Sequence, residues 1–206
     1  MAKNIPEKKS GKALWIVLGV VAVLIILAFI IGAYVASSYN SFITLNKNVD
    51  QSWSEVENQY QRQSDLIPNL VATVSSQVNS NTKFVKDVIA ARTAWANSAG
   101  ASQLQRDTAG QQMNNGISAF VNAVSESYPT FSSSEAYTAL RDELAGTQNR
   151  ITTARGRYIE TIGSFNLAVM RFPSNIIAGM FGFSAKDYYK SQSGTQTPSL
   201  GNATLP

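Results

Sequence analysis

The chain has 206 residues, a net charge of +4 and neither cysteine nor histidine. The two missing residue types exclude disulfides, Ser-His-Asp and Cys-His nucleophiles, and the usual zinc ligand sets. Most of the positive charge lies in the N-terminal arm, residues 1–12, and the remainder mixes both signs, so no clustered basic face predicts a nucleic-acid partner.

Residues 13–36 carry no charge and consist mostly of Val, Ile, Leu and Ala. About 20 apolar residues are enough for a helix to cross the hydrocarbon core of a bilayer. We therefore predict one transmembrane helix that anchors the chain in membrane lipid. The alternative is a cleavable signal peptide ending near Ala36, but the apolar core of such a signal is only about 7 to 15 residues long.

Lysine asymmetry predicts the orientation of this span. Four lysines precede residues 13–36, whereas only Lys47 follows closely. Because positively charged flanks stay in the cytoplasm, we expect the amino terminus inside and the rest of the chain outside.

Four later segments have the apolar spacing of amphipathic helices, and none alternates with a period of two. The first follows the membrane span, and Pro68 should kink it or make it restart, with Asp65 as a possible cap. Two shorter segments follow, about 82–97 and 102–127. Their inward side chains are predicted to be Phe84, Val85, Val88, Ile89 and Trp95, and then Leu104, Met113, Ile117, Phe120, Val121 and Val124.

The last long segment has the clearest periodicity. Every seventh residue is large and apolar: Tyr137, Leu144, Ile151, Tyr158, Phe165 and Phe172. Such spacing produces one long helix with a continuous apolar seam, which Pro173 should end. The chain is therefore predicted to be all-α, with the transmembrane helix followed by an antiparallel four-helix bundle over residues 39–190. The uncharged tail, residues 191–206, is expected to be flexible.

The charged residues predict no reactive site. Glu55 and Glu57 lie on different faces of their predicted helix, as do Asp142 and Glu143, and neither makes a convincing pair for acid-base work. No catalytic residue, cofactor or metal site is therefore expected. Arg150, Arg155 and Arg157 suggest a ligand site, because guanidinium groups bind carboxylates and phosphates. We favour the alternative that they form ion pairs within the bundle, with Asp50, Glu57 and Asp65 as the available partners.

Residues 172–189 are unusually apolar for a short, glycine-broken segment. They either fold across the end of the bundle or form a docking patch for a protein partner or the membrane surface. The candidate interaction patch consists of Ile176, Ile177, Met180, Phe181, Phe183, Tyr188 and Tyr189.

Two stretches of this sequence are distinctive, Asp65-Leu66-Ile67-Pro68-Asn69-Leu70-Val71 and Phe172-Pro173-Ser174-Asn175-Ile176-Ile177-Ala178-Gly179. Together with Arg150 and Arg155, they resemble the LemA family of bacterial membrane proteins. The resemblance implies a single N-terminal membrane helix and an antiparallel bundle, and it brings no established catalytic residues. Gln148 departs from the family, which often has Glu there. The family has often been described with its amino terminus outside, opposite to the lysine prediction.

We therefore expect a non-enzymatic protein with a single pass through the bacterial cytoplasmic membrane. It should act as an envelope scaffold or by self-association. An adaptor for a membrane enzyme such as a protease is the second hypothesis, and a small-ligand sensor at Arg150 and Arg155 is the third.

Overall fold

The computed structural model describes residues 10–75, 77, 79 and 82–187. These residues form six helices and no strand, which confirms the all-α prediction. The helices are α1 (Ser10–Val74), α2 (Lys83–Asn97), α3 (Gln103–Ser127), α4 (Pro129–Ser132), α5 (Glu135–Met170) and α6 (Ser174–Met180).

The chain divides into two compact units. The anchor unit comprises Met1–Asn46 and Phe165–Ala185, and the bundle unit comprises Lys47–Ser164 and Lys186–Pro206. Both α1 and α5 contribute to each unit.

Side-chain contacts define the direction of the helices in the bundle unit. Helices α1 and α5 are antiparallel, because residues later in α1 contact residues earlier in α5. Helices α1 and α3 are parallel, because residues later in α1 contact residues later in α3. The contacts are Ser52–Thr161 and Arg62–Glu143 for the first pair, and Tyr60–Asp107 and Gln63–Asn114 for the second. Helix α2 runs antiparallel to α3, with Phe84 on Phe120 and Trp95 under Arg106. The result is the predicted antiparallel four-helix arrangement.

The seven-residue seam of α5 is buried over most of its length. Its buried members are Tyr137, Leu144, Ile151, Tyr158 and Phe165. Phe172 was predicted to continue the seam, and this prediction is wrong: α5 ends at Met170, and Phe172 is 76% exposed. A residue beyond the helix end no longer follows the helical period.

Two further core predictions are wrong. Ile89 is exposed because the buried face of α2 is formed by Val85, Val88 and Trp95, and Ile89 lies about 100° round the helix from Val88. Leu104 is exposed because the buried face of α3 begins at Asp107 and Gly110. Neither of these residues is large and apolar, so the apolar spacing did not predict their burial.

Helix α1 continues through Pro68, so of the two predicted alternatives the restart, with its cap by Asp65, is wrong, and the kink stays a prediction. Proline has no amide hydrogen and leaves the carbonyl four residues earlier without its helical donor. That carbonyl belongs to Ser64, and Arg92 Nε of α2 donates to it at 3.1 Å. A side chain from the neighbouring helix thus replaces the missing bond. Asp65 instead accepts a hydrogen bond from Gln61 Nε2 at 2.8 Å.

In the anchor unit, α1 is uninterrupted through Ser37 and Ser41, although serine is a weak helix former. Among the described helices, α1 alone is long and apolar enough to cross a membrane, and no residue of its apolar N-terminal part is buried. Glycines at positions 19 and 32 have open space on their Cβ side. The chain accordingly has one candidate membrane helix with a free lateral surface.

Candidate functional site

A buried polar layer crosses the interior of the bundle unit. Its centre is Asp107, a fully buried carboxylate on α3. Arg155 of α5 approaches it with both nitrogens of one edge, Nη2 donating to Oδ2 at 3.1 Å and Nε lying 3.0 Å from Oδ1. Tyr60 of α1 donates its hydroxyl at 2.9 Å, and Gln111 donates its amide at 2.5 Å. Three helices therefore converge on one carboxylate.

Burial shifts the pKa of both Asp107 and Tyr60 in this layer. Desolvation raises the pKa of Asp107 above its ordinary value, against the opposing effect of the Arg155 charge and the three donors. Desolvation, reinforced by the charge of Asp107, also raises the pKa of Tyr60, so its hydroxyl stays a donor. Gly110 makes room for the ring, because a Cβ there would lie 2.6 Å from Tyr60 Cε1. The layer is a closed hydrogen-bonded group and offers no free base or nucleophile.

The arginine partners differ from those predicted. Arg155 pairs with Asp107 and Arg157 with Glu55, at 2.8 Å. Glu57 pairs instead with Arg106, whose guanidinium carbon lies 4.5 Å from the Trp95 ring centroid. Asp107 was not among the predicted site residues, because a charged residue on a predicted helix is normally assigned to the surface.

Arg150 and Arg155 do not form a common site. Arg150 is exposed and lines a shallow groove of about 260 Å³ between α1 and α5, together with Glu55, Gln59, Asn149, Thr153 and Arg157. Arg155 does not line it, and Arg157 is already paired with Glu55. Within the described part of the chain, no three Asp or Glu side chains are grouped so that they could hold a metal ion.

A glycine turn shapes the C-terminal part of the anchor unit. After α6, Gly182 adopts a positive φ of 76°, Gly182 N donates to Gly179 O, and Phe183 N donates to Ala178 O at 2.9 Å. This is the Schellman pattern, in which glycine ends a helix in the left-handed conformation. The turn brings the Phe183 ring to within 5.9 Å of Tyr39 and 5.2 Å of Phe42, both on α1.

Large apolar side chains remain exposed in the same unit. Six of them lie within residues 167–181, with exposed fractions between 48% and 76%, and we call them the juxtamembrane surface: Leu167, Met170, Phe172, Ile176, Met180 and Phe181. Ile176 and Met180 are one helical turn apart on α6 and so lie on one face. Arg171 is the only charged residue of the anchor unit from position 13 onward.

The structure divides the predicted interaction patch. Ile177 is buried, Phe183 is half-buried against α1, and Ile176, Met180 and Phe181 are exposed. Phe181 also touches Tyr39, with ring centroids 4.9 Å apart. Tyr188 and Tyr189 lie outside the described residues. Ile176 and Met180 are four residues apart and share the exposed face of α6, whereas Ile177 lies on its buried face, as helical spacing requires.

Four family-motif residues, Pro68, Asn69, Phe172 and Pro173, are exposed in the described structure. Pro68 and Asn69 lie on the exposed side of α1, and the Ser174 hydroxyl, just after Phe172 and Pro173, lies 2.7 Å from Ala168 O at the end of α5.

Comparison with known proteins identifies the family. Residues 52–200 match the model of the LemA family. The chain belongs to the LemA family. Two relatives of this LemA-family protein, magnetosome proteins MamQ 1 and MamQ 2 of Paramagnetospirillum magneticum (strain ATCC 700264 / AMB-1), are each 28% identical over 202 residues, covering 87% of this chain and 74% of theirs. Magnetosome protein MamQ of Magnetospirillum gryphiswaldense (strain DSM 6361 / JCM 21280 / NBRC 15271 / MSR-1) is 26% identical over 201 residues, covering 86% and 73%.

Proposed function

We propose that this LemA-family protein is a non-enzymatic scaffold of the bacterial cytoplasmic membrane that associates with itself through its membrane helix. The observation that carries the proposal is the division of charge between the two units. The anchor unit has one charged residue after position 12, whereas the bundle unit joins its helices with cross-helix ion pairs such as Asp107–Arg155. A bundle held in this way is suited to presenting surfaces rather than to bond-breaking chemistry.

The self-association surface is assigned to a row of small residues on the span. Ala28, Gly32 and Ala36 recur every fourth residue and so lie on one face of α1. Small residues at this spacing let two helices approach closely in a bilayer, where packing replaces the hydrophobic effect as the driving force. Nothing lies within 4 Å of a Cβ built on Gly32, so that face is open to a second copy.

The relatives support a membrane-associated role. Their names assign them to the magnetosome, and we extend to this chain only association with a membrane structure. On the lysine asymmetry, the bundle unit faces away from the cytoplasm. Protease added to intact spheroplasts should then remove the bundle unit. If this unit survives until the membrane is lysed, the bundle unit faces the cytoplasm. That result would leave the scaffold proposal unaffected.

Purification from detergent tests the proposal against its alternatives. The solubilised protein should elute as a homogeneous assembly of several copies, measured by light scattering coupled to size exclusion. Recovery of one stoichiometric membrane enzyme would favour the adaptor hypothesis instead. Hydrolase activity that stays with the homogeneous protein, and is missing from a preparation that lacks the protein, would contradict both the scaffold and the adaptor hypotheses.

The small-ligand hypothesis is weaker, because Arg155 is committed to Asp107, and of the two arginines that this hypothesis names only Arg150 lines the shallow groove. Calorimetric titration with phosphate or a dicarboxylate should therefore show no saturable binding. Saturable binding that Arg150→Gln abolishes would restore the hypothesis.

A further inference from the structure

We propose that the juxtamembrane surface lies in the lipid headgroup layer, so that residues 167–181 form a second membrane contact beside the transmembrane helix. The occupant of this surface is lipid, and three features of the anchor unit support that assignment.

The first feature is depth. Residues 13–36 make a helix about 36 Å long, while the hydrocarbon core is about 30 Å thick and the bilayer with headgroups about 40–45 Å. Tyr39 follows the span by three residues, or about 4.5 Å along the axis. Helical side chains lean toward the amino terminus, which here is toward the membrane. The Tyr39 ring therefore lies at the level of the headgroups.

The second feature is contact. The Phe181 ring lies 4.9 Å from the Tyr39 ring, and Phe183 rests on Tyr39 and Phe42. These contacts fix the end of α6 to the part of α1 that emerges from the membrane. Phe181 is therefore at the same level as Tyr39.

The third feature is composition. The six apolar side chains of the juxtamembrane surface are exposed, and Arg171 is the only charged residue within positions 167–181. An exposed apolar patch in water favours aggregation, whereas large apolar and aromatic side chains beside a cation are typical of segments that lie in the membrane interface. Arg171 can reach lipid phosphates while its neighbours enter the apolar boundary.

Fluorescence quenching at single cysteines tests this proposal, since the native chain has no cysteine to remove. The full chain with Met180→Cys or Ile176→Cys is labelled with an environment-sensitive dye and reconstituted in vesicles of phosphatidylcholine and phosphatidylglycerol. The matched control is Leu104→Cys, an exposed large apolar position in the bundle unit. Circular dichroism establishes that all three variants keep the native helix content.

We expect dyes at positions 176 and 180 to be quenched by nitroxides attached near the lipid headgroup. Their quenching by aqueous iodide should be severalfold weaker than at position 104. Iodide quenching equal to that at position 104 would overturn the proposal. Shielding from both quenchers would also overturn it, because a protein surface would then cover the patch.

Repeating the measurement with Gly32→Ile separates this proposal from the proposed self-association. That substitution is placed to disrupt helix pairing and leaves the juxtamembrane surface intact. Lipid quenching at positions 176 and 180 should persist. Its loss together with self-association would assign the shielding to the assembly and overturn the lipid contact.

Discussion

The bundle unit and the anchor unit treat charge in opposite ways. Residues 47–164 contain ten Lys and Arg and eleven Asp and Glu residues, whereas residues 13–46 and 165–185 contain Arg171 alone. In the bundle unit most large apolar side chains of α5 are buried, with Ile159 exposed, and the buried carboxylate of Asp107 has its partner. In the anchor unit Phe165 and Val169 of the same helix are buried, whereas Leu167 and Met170 are exposed. The difference is the one expected if, as we propose, one unit folds against water and the other against lipid.

The largest expected effect is in the polar layer. Asp107→Asn should lower the free energy of unfolding by about 3–5 kcal/mol, because Arg155 would keep a desolvated charge without its counterion. Chemical denaturation of the detergent-solubilised protein measures the change. The matched control is Glu143→Gln, whose pair with Arg62 is exposed and should contribute about 0–1 kcal/mol. Equal effects of the two substitutions would refute a structural role for the buried pair.

The seam of α5 gives the next test. Ile151→Ala should cost about 2–5 kcal/mol, because it opens a cavity in the bundle core. Leu167→Ala removes a similar side chain from the same helix but at an exposed position in the anchor unit, so it should leave the melting temperature in detergent nearly unchanged. Similar losses at both positions would remove the contrast between the units.

The bond around Pro68 sharpens the account of the bundle unit. Arg92→Met should cost about 1–3 kcal/mol, because the Ser64 carbonyl would lose its donor in a buried position. In a Pro68→Ala chain the helix supplies its own amide at residue 68, so the same Arg92 substitution should cost less. A double-mutant cycle measures the coupling. Purely additive effects would show that Arg92 does not compensate for the proline.

The smallest effect is expected at the glycine turn of the anchor unit. Phe183→Leu keeps an apolar side chain but loses the ring contacts with Tyr39 and Phe42, which should cost about 0.5–1.5 kcal/mol. Faster hydrogen exchange at the Phe183 amide, bonded to Ala178 O, would report the change. Phe172→Leu, at a mostly exposed ring, should leave that exchange rate unaltered.

Periodicity was sufficient to predict the four helices of the bundle and most of the core, because burial of one helix face leaves a regular apolar spacing, as in Tyr137, Leu144 and Ile151. It did not predict the short helices α4 and α6. It failed where a core position is charged or small. Asp107 and Gly110 occupy the buried face of α3. Asp107 is paired there with Arg155 of α5, and Gly110 leaves space for the Tyr60 ring of α1. Such tertiary partners leave no local signal. The Arg92–Ser64 bond across Pro68 is of the same kind.

Energy transfer in vesicles tests the central claim, self-association through the membrane helix, most directly. Full-length protein with Leu104→Cys is labelled separately with donor and acceptor dyes, mixed and reconstituted, and then diluted with added lipid. We predict transfer that persists at dilutions where random proximity is negligible, that is abolished by Gly32→Ile, and that is retained with Gly19→Ile. Gly19 is an equally open glycine of the span outside the small-residue row. Transfer that falls to the random level on dilution, or that both glycine substitutions leave unchanged, would contradict the account.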